Sequence, residues 1–211
     1  MRARTKRDAV RILFVIKAAG EPVVRGAPDG MRLVVSAEKR LQALDFWMRN
    51  PDYLAWEILN QHAADPARGD LLAAAEAVMT GDEPDLRRLP MQRFLFGAWE
   101  ALDDAIATLR LPGLVEMRRR YDKNLTKVTR TEYFLTEAGA RHADELATVE
   151  PLDWYAQRAA LVAAVAGTRT GHELKNSQYK VAAYNKAKHG TLIAPIDGAT
   201  RQRLAKARAE S

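Results

Sequence analysis

Apolar side chains recur along this chain at steps of three and four in some stretches and at alternate positions in others. The two rhythms predict a mostly helical α+β protein. Val10, Leu13, Phe14 and Lys17 follow one another at helical spacing, so residues 5–19 read as an amphipathic helix with Gly20 as its C′ residue. Val23-Val24-Arg25 and Met31-Arg32-Leu33-Val34-Val35 flank a Pro28-Asp29-Gly30 turn and predict a hairpin near residues 23–35. Ser36 is placed to N-cap the next helix, on which Leu41, Leu44 and Met48 share a face with Trp47 beside them. Pro51 ends that helix, because proline has no amide to donate and restrains Asn50. A further helix carries Leu54, Ile58 and Leu59, and an alanine-rich one follows over residues 70–79, before a loop at Gly81-Asp82-Glu83-Pro84-Asp85.

The middle of the chain repeats the helix-then-hairpin order. Trp99, Leu102, Ile106 and Leu109 form a stripe that predicts a helix over residues 97–110, stopped by Pro112 and Gly113. Residues 114–121 and 127–135 are rich in β-branched and aromatic side chains around a turn at Asp122-Lys123-Asn124, which predicts a hairpin over 114–135. Phe94-Leu95-Phe96, approached by Arg87, Arg88 and Arg93, offers a third edge strand to the same sheet. Thr136 N-caps the next helix, with Glu137 in its first turn. Pro151 opens a helix that is apolar most of the way round, hence either buried or paired with a second copy in a homo-oligomer, and Gly167 closes it. Residues 171–180 read as helix, and the charged tail from Gly198 has Leu204 as its strong apolar anchor. The expected core is Leu13, Phe14, Leu41, Leu44, Trp47, Leu54, Ile58, Trp99, Leu102, Ile106, Leu114, Phe134 and Leu135. Three consecutive parts are expected, residues 1–65, 66–150 and 151–211, folded as one unit.

Gly113-Leu114-Val115 resembles the entry to the first wing strand of the winged-helix family. Tyr133-Phe134-Leu135-Thr136-Glu137-Ala138-Gly139 resembles that family's exit from the wing into its last helix. The resemblance implies a winged-helix-like part with a two- or three-stranded wing sheet, preceded by helix-hairpin-helix elements and followed by C-terminal helices. Winged helices serve DNA, RNA and protein partners alike, so the fold implies no single function. A second segment, Leu44-Asp45-Phe46-Trp47-Met48-Arg49-Asn50-Pro51-Asp52-Tyr53-Leu54, resembles the middle components of bacterial ABC-type three-component defence systems. That resemblance implies an adaptor between an ABC-class ATPase and an effector, with no catalytic residues of its own. On the residues alone, Asp45, Arg49 and Asp52 are either part of a packed proline corner or a polar cluster beside it.

Charge divides the two roles of such a fold. The net charge is +6, but residues 1–50 carry eleven Lys/Arg against five Asp/Glu, residues 51–110 five against eleven, and residues 151–211 ten against four. The helix before the hairpin offers Glu100, Asp103 and Asp104, which would meet phosphates in a major groove but suit a basic protein patch. These three are the expected protein-docking residues. The hairpin carries Arg118, Arg119, Arg120, Lys123, Lys127 and Arg130, the residues a nucleic-acid-binding role would use, without sequence specificity.

Residues arranged for chemistry are sparse in this chain. The chain has no cysteine, and its four histidines lie far apart without metal-ligand spacing, so neither a metal nor a cofactor is expected. Asp153 with Glu173 and Lys175 imitates a nuclease carboxylate–lysine set, but helical residues separate them where strands are needed. No apolar run reaches the length of a membrane span, and a cytoplasmic location without membrane attachment is expected. The sequence therefore favours a non-catalytic adaptor that docks on partner proteins. The alternative is a DNA-binding transcriptional regulator that uses the basic hairpin.

Overall fold

Helix α1 (Arg2–Ala19) is buried over residues 11–16 on every side. The reason is its position: it packs against helix α7 (Leu152–Ala166), against helix α5 (Asp103–Arg110) and against a sheet. A one-sided amphipathic stripe therefore understates how much of this helix faces other elements. The structure is a computed structural model that describes residues 2–23, 26–81, 91–94 and 97–210, with side chains from residue 5 onward. Val24-Arg25 of the first expected hairpin, the loop from Asp82 through Asp85, Arg87, Arg88 and Leu95-Phe96 lie outside the described residues.

The chain is an α+β protein, mostly helical, with small antiparallel sheets. It divides into two compact units, each assembled from two separated stretches, an arrangement that the three consecutive parts read from the sequence do not follow. The first unit is Met1–Asp45 with Glu100–His172, and the second is Phe46–Trp99 with Glu173–Ser211. The divisions fall inside helix α2 (Glu38–Arg49) and inside helix α8 (Gly171–Tyr179).

In the first unit, strands β1 (Glu21–Pro22), β2 (Met31–Ser36), β5 (Val115–Tyr121) and β6 (Val128–Thr136) form an antiparallel sheet in the order β1-β2-β6-β5. Thr136 closes the sheet onto helix α6 (Glu137–Leu146). Its hydroxyl accepts from the Gly139 amide at 2.9 Å and donates to the Gly113 carbonyl at 2.7 Å. A Cβ on Gly139 would overlap the Leu114 carbonyl oxygen, so only glycine lets α6 start this close to β5. Beneath the sheet, Arg11 donates through Nε to Asp45 Oδ1 at 2.5 Å, with both side chains buried. Ser36 does not take the expected N-cap position: it ends β2 as its last residue, and Ala37, at φ 78, turns the chain into α2.

In the second unit, helices α3 (Pro51–Ala64) and α4 (Gly69–Thr80) pack together, and helix α10 (Asp197–Ala209) packs on both. Pro51 takes the first position of α3, where its missing amide costs no hydrogen bond. Buried Asp52 accepts from the Ile196 amide at 2.6 Å, and its backbone carbonyl accepts from the Thr200 hydroxyl at 3.1 Å. The corner aromatics are core: Phe46 meets Tyr53 and Tyr184 edge-on at 4.9 and 5.2 Å between centroids. The remaining elements are strands β3 (Gln92–Phe94) and β4 (Gly97–Trp99) and helix α9 (Ala182–Lys186).

Further expectations change. The predicted helix over residues 97–110 begins at Asp103, because Gly97–Trp99 pairs with Gln92–Phe94 as a separate hairpin. That pairing also withdraws Phe94 from the sheet of the first unit, to which the sequence assigned it. Of the expected core, Trp99 is 39% exposed and Leu114 is half-buried; the other eleven side chains are buried.

Candidate docking surface

Helix α5 turns Ala105, Ile106 and Leu109 inward and leaves Asp103 and Asp104 exposed in its first turn. Carboxylates there sit at the favourable, positive end of the helix dipole. Glu100 does not share their helix, as the sequence reading required; it precedes α5 and is half-buried. Its peptide is held by the buried Gln42 side chain, which accepts from the Glu100 amide at 3.1 Å and donates to the Glu100 carbonyl at 2.7 Å. The acidic surface is thus an adjacent pair at a helix start, with the third carboxylate on the segment leading into it.

The β5–β6 hairpin distributes its six cations unequally. Register places Arg118 opposite Glu132 and Arg120 opposite Arg130. Glu132 is buried, and its Oε2 accepts from Arg118 Nε at 2.8 Å and from Arg120 Nε at 3.0 Å. Burial pushes the Glu132 carboxyl up, but the hydrogen bonds and charges of the two arginines outweigh it and hold the group below the ordinary glutamate range. Arg118 also donates to the Gly26 carbonyl at 3.0 Å and lies 5.1 Å from the centroid of Phe134. These contacts wall a shallow basin of about 550 Å³ on this face of the sheet, with Val34, Ser36 and Arg130 in its lining. Arg119, Lys123, Lys127 and Arg130 remain exposed and make no ion pair with another described residue.

The turn at the end of the hairpin is self-contained. Asp122 accepts from the Thr126 amide at 2.8 Å, from the Thr126 hydroxyl at 2.9 Å and from the Lys127 amide at 3.2 Å. Those bonds hold its carboxyl below the ordinary aspartate range, so the acid serves the turn. Around it, Tyr121 and Val128 are exposed register partners, and Leu125, at φ 56, is 76% exposed. The sequence reading counted the charges of this hairpin and missed its apolar tip. The available signal was Leu125 itself, an aliphatic residue in a polar turn between two lysines.

Among the described residues, no group of three or more His, Asp or Glu side chains is placed to hold a metal ion. Asp153 and Glu173 lie on helices α7 and α8, not on strands. Among the described residues no helix is long and apolar enough to cross a membrane. No protein-family model, curated protein or solved structure matches the chain.

Proposed function

We propose that the chain is a non-catalytic adaptor built on a winged-helix-type unit, which docks on partner proteins through the β5–β6 tip and the start of α5. The order helix α1, strand β2, helix α2, helix α5, strand β5, strand β6, with the strands arranged β2-β6-β5, supports the fold reading. So does the Thr136–Gly139 joint at the exit from the hairpin. On this reading, residues 46–99 interrupt the winged-helix order between its second and third helices.

The observation that carries the docking reading is the hairpin tip. Leu125 stands exposed with Tyr121 and Val128, while Glu132 occupies two of the arginines that would otherwise grip phosphate. Exposed apolar side chains inside a polar ring are the usual anchors of a protein interface, and charges at its rim steer encounter. The Leu44–Leu54 resemblance makes an ABC-class ATPase or an effector of a bacterial defence system the partner to test, in the cytoplasm. Co-purification with the products of neighbouring genes tests this. Leu125→Asp and the reversal Asp103→Lys with Asp104→Lys should each weaken capture at least tenfold, about 1.4 kcal/mol, with stability unchanged in the first and lowered by about 1–2 kcal/mol in the second, whose charges oppose the α5 dipole. Undiminished capture by both variants would remove the docking reading.

A transcriptional regulator remains the second reading, favoured by the four exposed cations Arg119, Lys123, Lys127 and Arg130. It requires tight binding to one operator in the presence of excess competitor DNA. Binding carried by these cations alone would weaken steeply with salt and ignore sequence.

A further inference from the structure

The second unit carries a surface that neither reading uses. Strand β3 is flanked on one side by β4 and on the other by residues 190–193: the Arg93 amide donates to the Thr191 carbonyl at 2.9 Å, the Gly190 amide to the Arg93 carbonyl at 2.7 Å, and the Ile193 amide to the Met91 carbonyl at 3.1 Å. Gly190, at φ 76, makes the turn that leads into this pairing. The Arg93 guanidinium donates to the carbonyls of Asn185 and Ala187 and so fixes the approaching segment. The result is a row of three rings. Phe94 lies between Trp99, at 5.3 Å and 34°, and His189, at 4.8 Å and 39°. All three side chains are exposed, with exposed Leu192 bridged to Gln92 beside them.

The stretches that carry this row are basic. Residues 91–99 and 174–196 together contain Arg93, Lys175, Lys180, Lys186 and Lys188, and not one Asp or Glu. Lys180, Lys186 and Lys188 are exposed and make no ion pair with another described residue. An acidic peptide would satisfy the lysines and leave the outer faces of Trp99 and His189, at the two ends of the row, without a planar partner. A lipid surface would take apolar bulk in any orientation. A single-stranded nucleic acid presents a flat base and a negative charge at every unit, which is what this pattern complements.

We propose that the Trp99–Phe94–His189 row, with Lys180, Lys186 and Lys188, is a binding site for single-stranded nucleic acid that continues the stack with unpaired bases on the end rings, Trp99 and His189, and pairs its phosphates with the lysines. The site shares no residue with the β5–β6 hairpin, and its test does not depend on the adaptor reading.

Fluorescence anisotropy of labelled fifteen-nucleotide oligo-dT and oligo-U with the full chain tests it. Both strands should bind at low salt, more tightly than a duplex of equal length. Replacing Phe94→Ala together with Trp99→Ala should weaken binding about tenfold or more, and Phe94→Tyr with Trp99→Phe should restore it, because stacking needs a ring and not one particular ring. Lys186→Glu with Lys188→Glu, which touches no buried group, should make the slope of log K against log salt shallower by about 1.4, the value for two single-strand phosphates. This second pair keeps the test decisive if the alanine variant unfolds. The proposal is overturned if neither strand binds, if the folded alanine variant binds like the parent, if the lysine reversal leaves the slope unchanged, or if polyglutamate or anionic vesicles compete as strongly as oligo-dT.

Discussion

Glu132 faces Arg118 across the β5–β6 ladder and accepts from its Nε at 2.8 Å, while Arg120 reaches the same carboxylate oxygen at 3.0 Å. One buried acid thereby holds two of the hairpin's six cations, and a count of charges along the sequence overstates the positive surface the hairpin presents.

This relationship has a pH signature. The carboxyl titrates below its ordinary value in the folded chain, so the stability it contributes is complete above about pH 5 and is lost as the pH falls through the lowered value. Glu132→Gln should flatten the acid limb of a stability–pH profile measured by denaturant unfolding. Glu132→Ala should cost roughly 1–3 kcal/mol at neutral pH by stranding half-buried Arg118. A profile unaltered by the glutamine variant would mean that the ion pairs contribute nothing net.

Asp45 and Arg11 make a different kind of pair, buried on both sides, with Asp8 also accepting from Arg11 at 2.6 Å. Burial works against the Arg11 charge, but Asp45 and then Asp8 more than compensate and keep the guanidinium ionised. Asp45→Ala should cost about 3–5 kcal/mol, since it leaves a buried cation short of its partner. Replacing Arg11 and Asp45 together by apolar residues of similar volume should recover much of that loss, read as the denaturation midpoint of a double-mutant cycle.

Gly139→Ala should destabilise by roughly 1–3 kcal/mol, because the new methyl group meets the Leu114 carbonyl oxygen, a backbone atom with no rotamer to yield. Thr136→Val, which keeps the shape and removes the hydroxyl's bonds to the Gly113 and Leu114 carbonyls and the Gly139 amide, should cost about 1–2 kcal/mol. Equilibrium unfolding of the two single variants and their combination should also show non-additivity, since both act at one joint.

Trp47 and Trp99 are expected to respond very differently to truncation. Trp47 is 1% exposed, and Trp47→Ala should cost about 3–5 kcal/mol. Trp99 is 39% exposed, and Trp99→Ala should cost less than Trp47→Ala, about 2 kcal/mol, by the same unfolding measurement.

The Trp99 case shows what local pattern carries and what it omits. Leu102, Ile106 and Leu109 do form a helical stripe, and periodicity found it. Trp99 fits the same spacing, but β4 pairs with Gln92–Phe94, and a pairing partner outside the window overrides a rhythm inside it. Strand content and the helix-opening role of Thr136 were legible for the same reason that Leu102 was, since they depend on neighbours a few residues away. The capture of Arg118 and Arg120 by Glu132 was not, because register decides which side chains face one another. The exposed Leu125 was passed over because the hairpin was read by its charges, although an aliphatic residue in a polar turn was there to see. The two units were hidden more deeply, since each joins stretches that are remote in sequence.

Asp52 and Ile196 are separated by 144 residues, yet the hydrogen bond between them ties α3 to the segment that leads into α10. During synthesis, then, α3 and α4 leave the ribosome with one flank bare and wait for their cover. At roughly 5–20 residues per second the delay is on the order of ten seconds, far longer than helices need to form. The second unit is therefore completed only as α10 emerges, and premature termination anywhere between would release a chain with the α3–α4 surface still open. The longer that interval lasts, the longer the α3–α4 surface stays open to other chains.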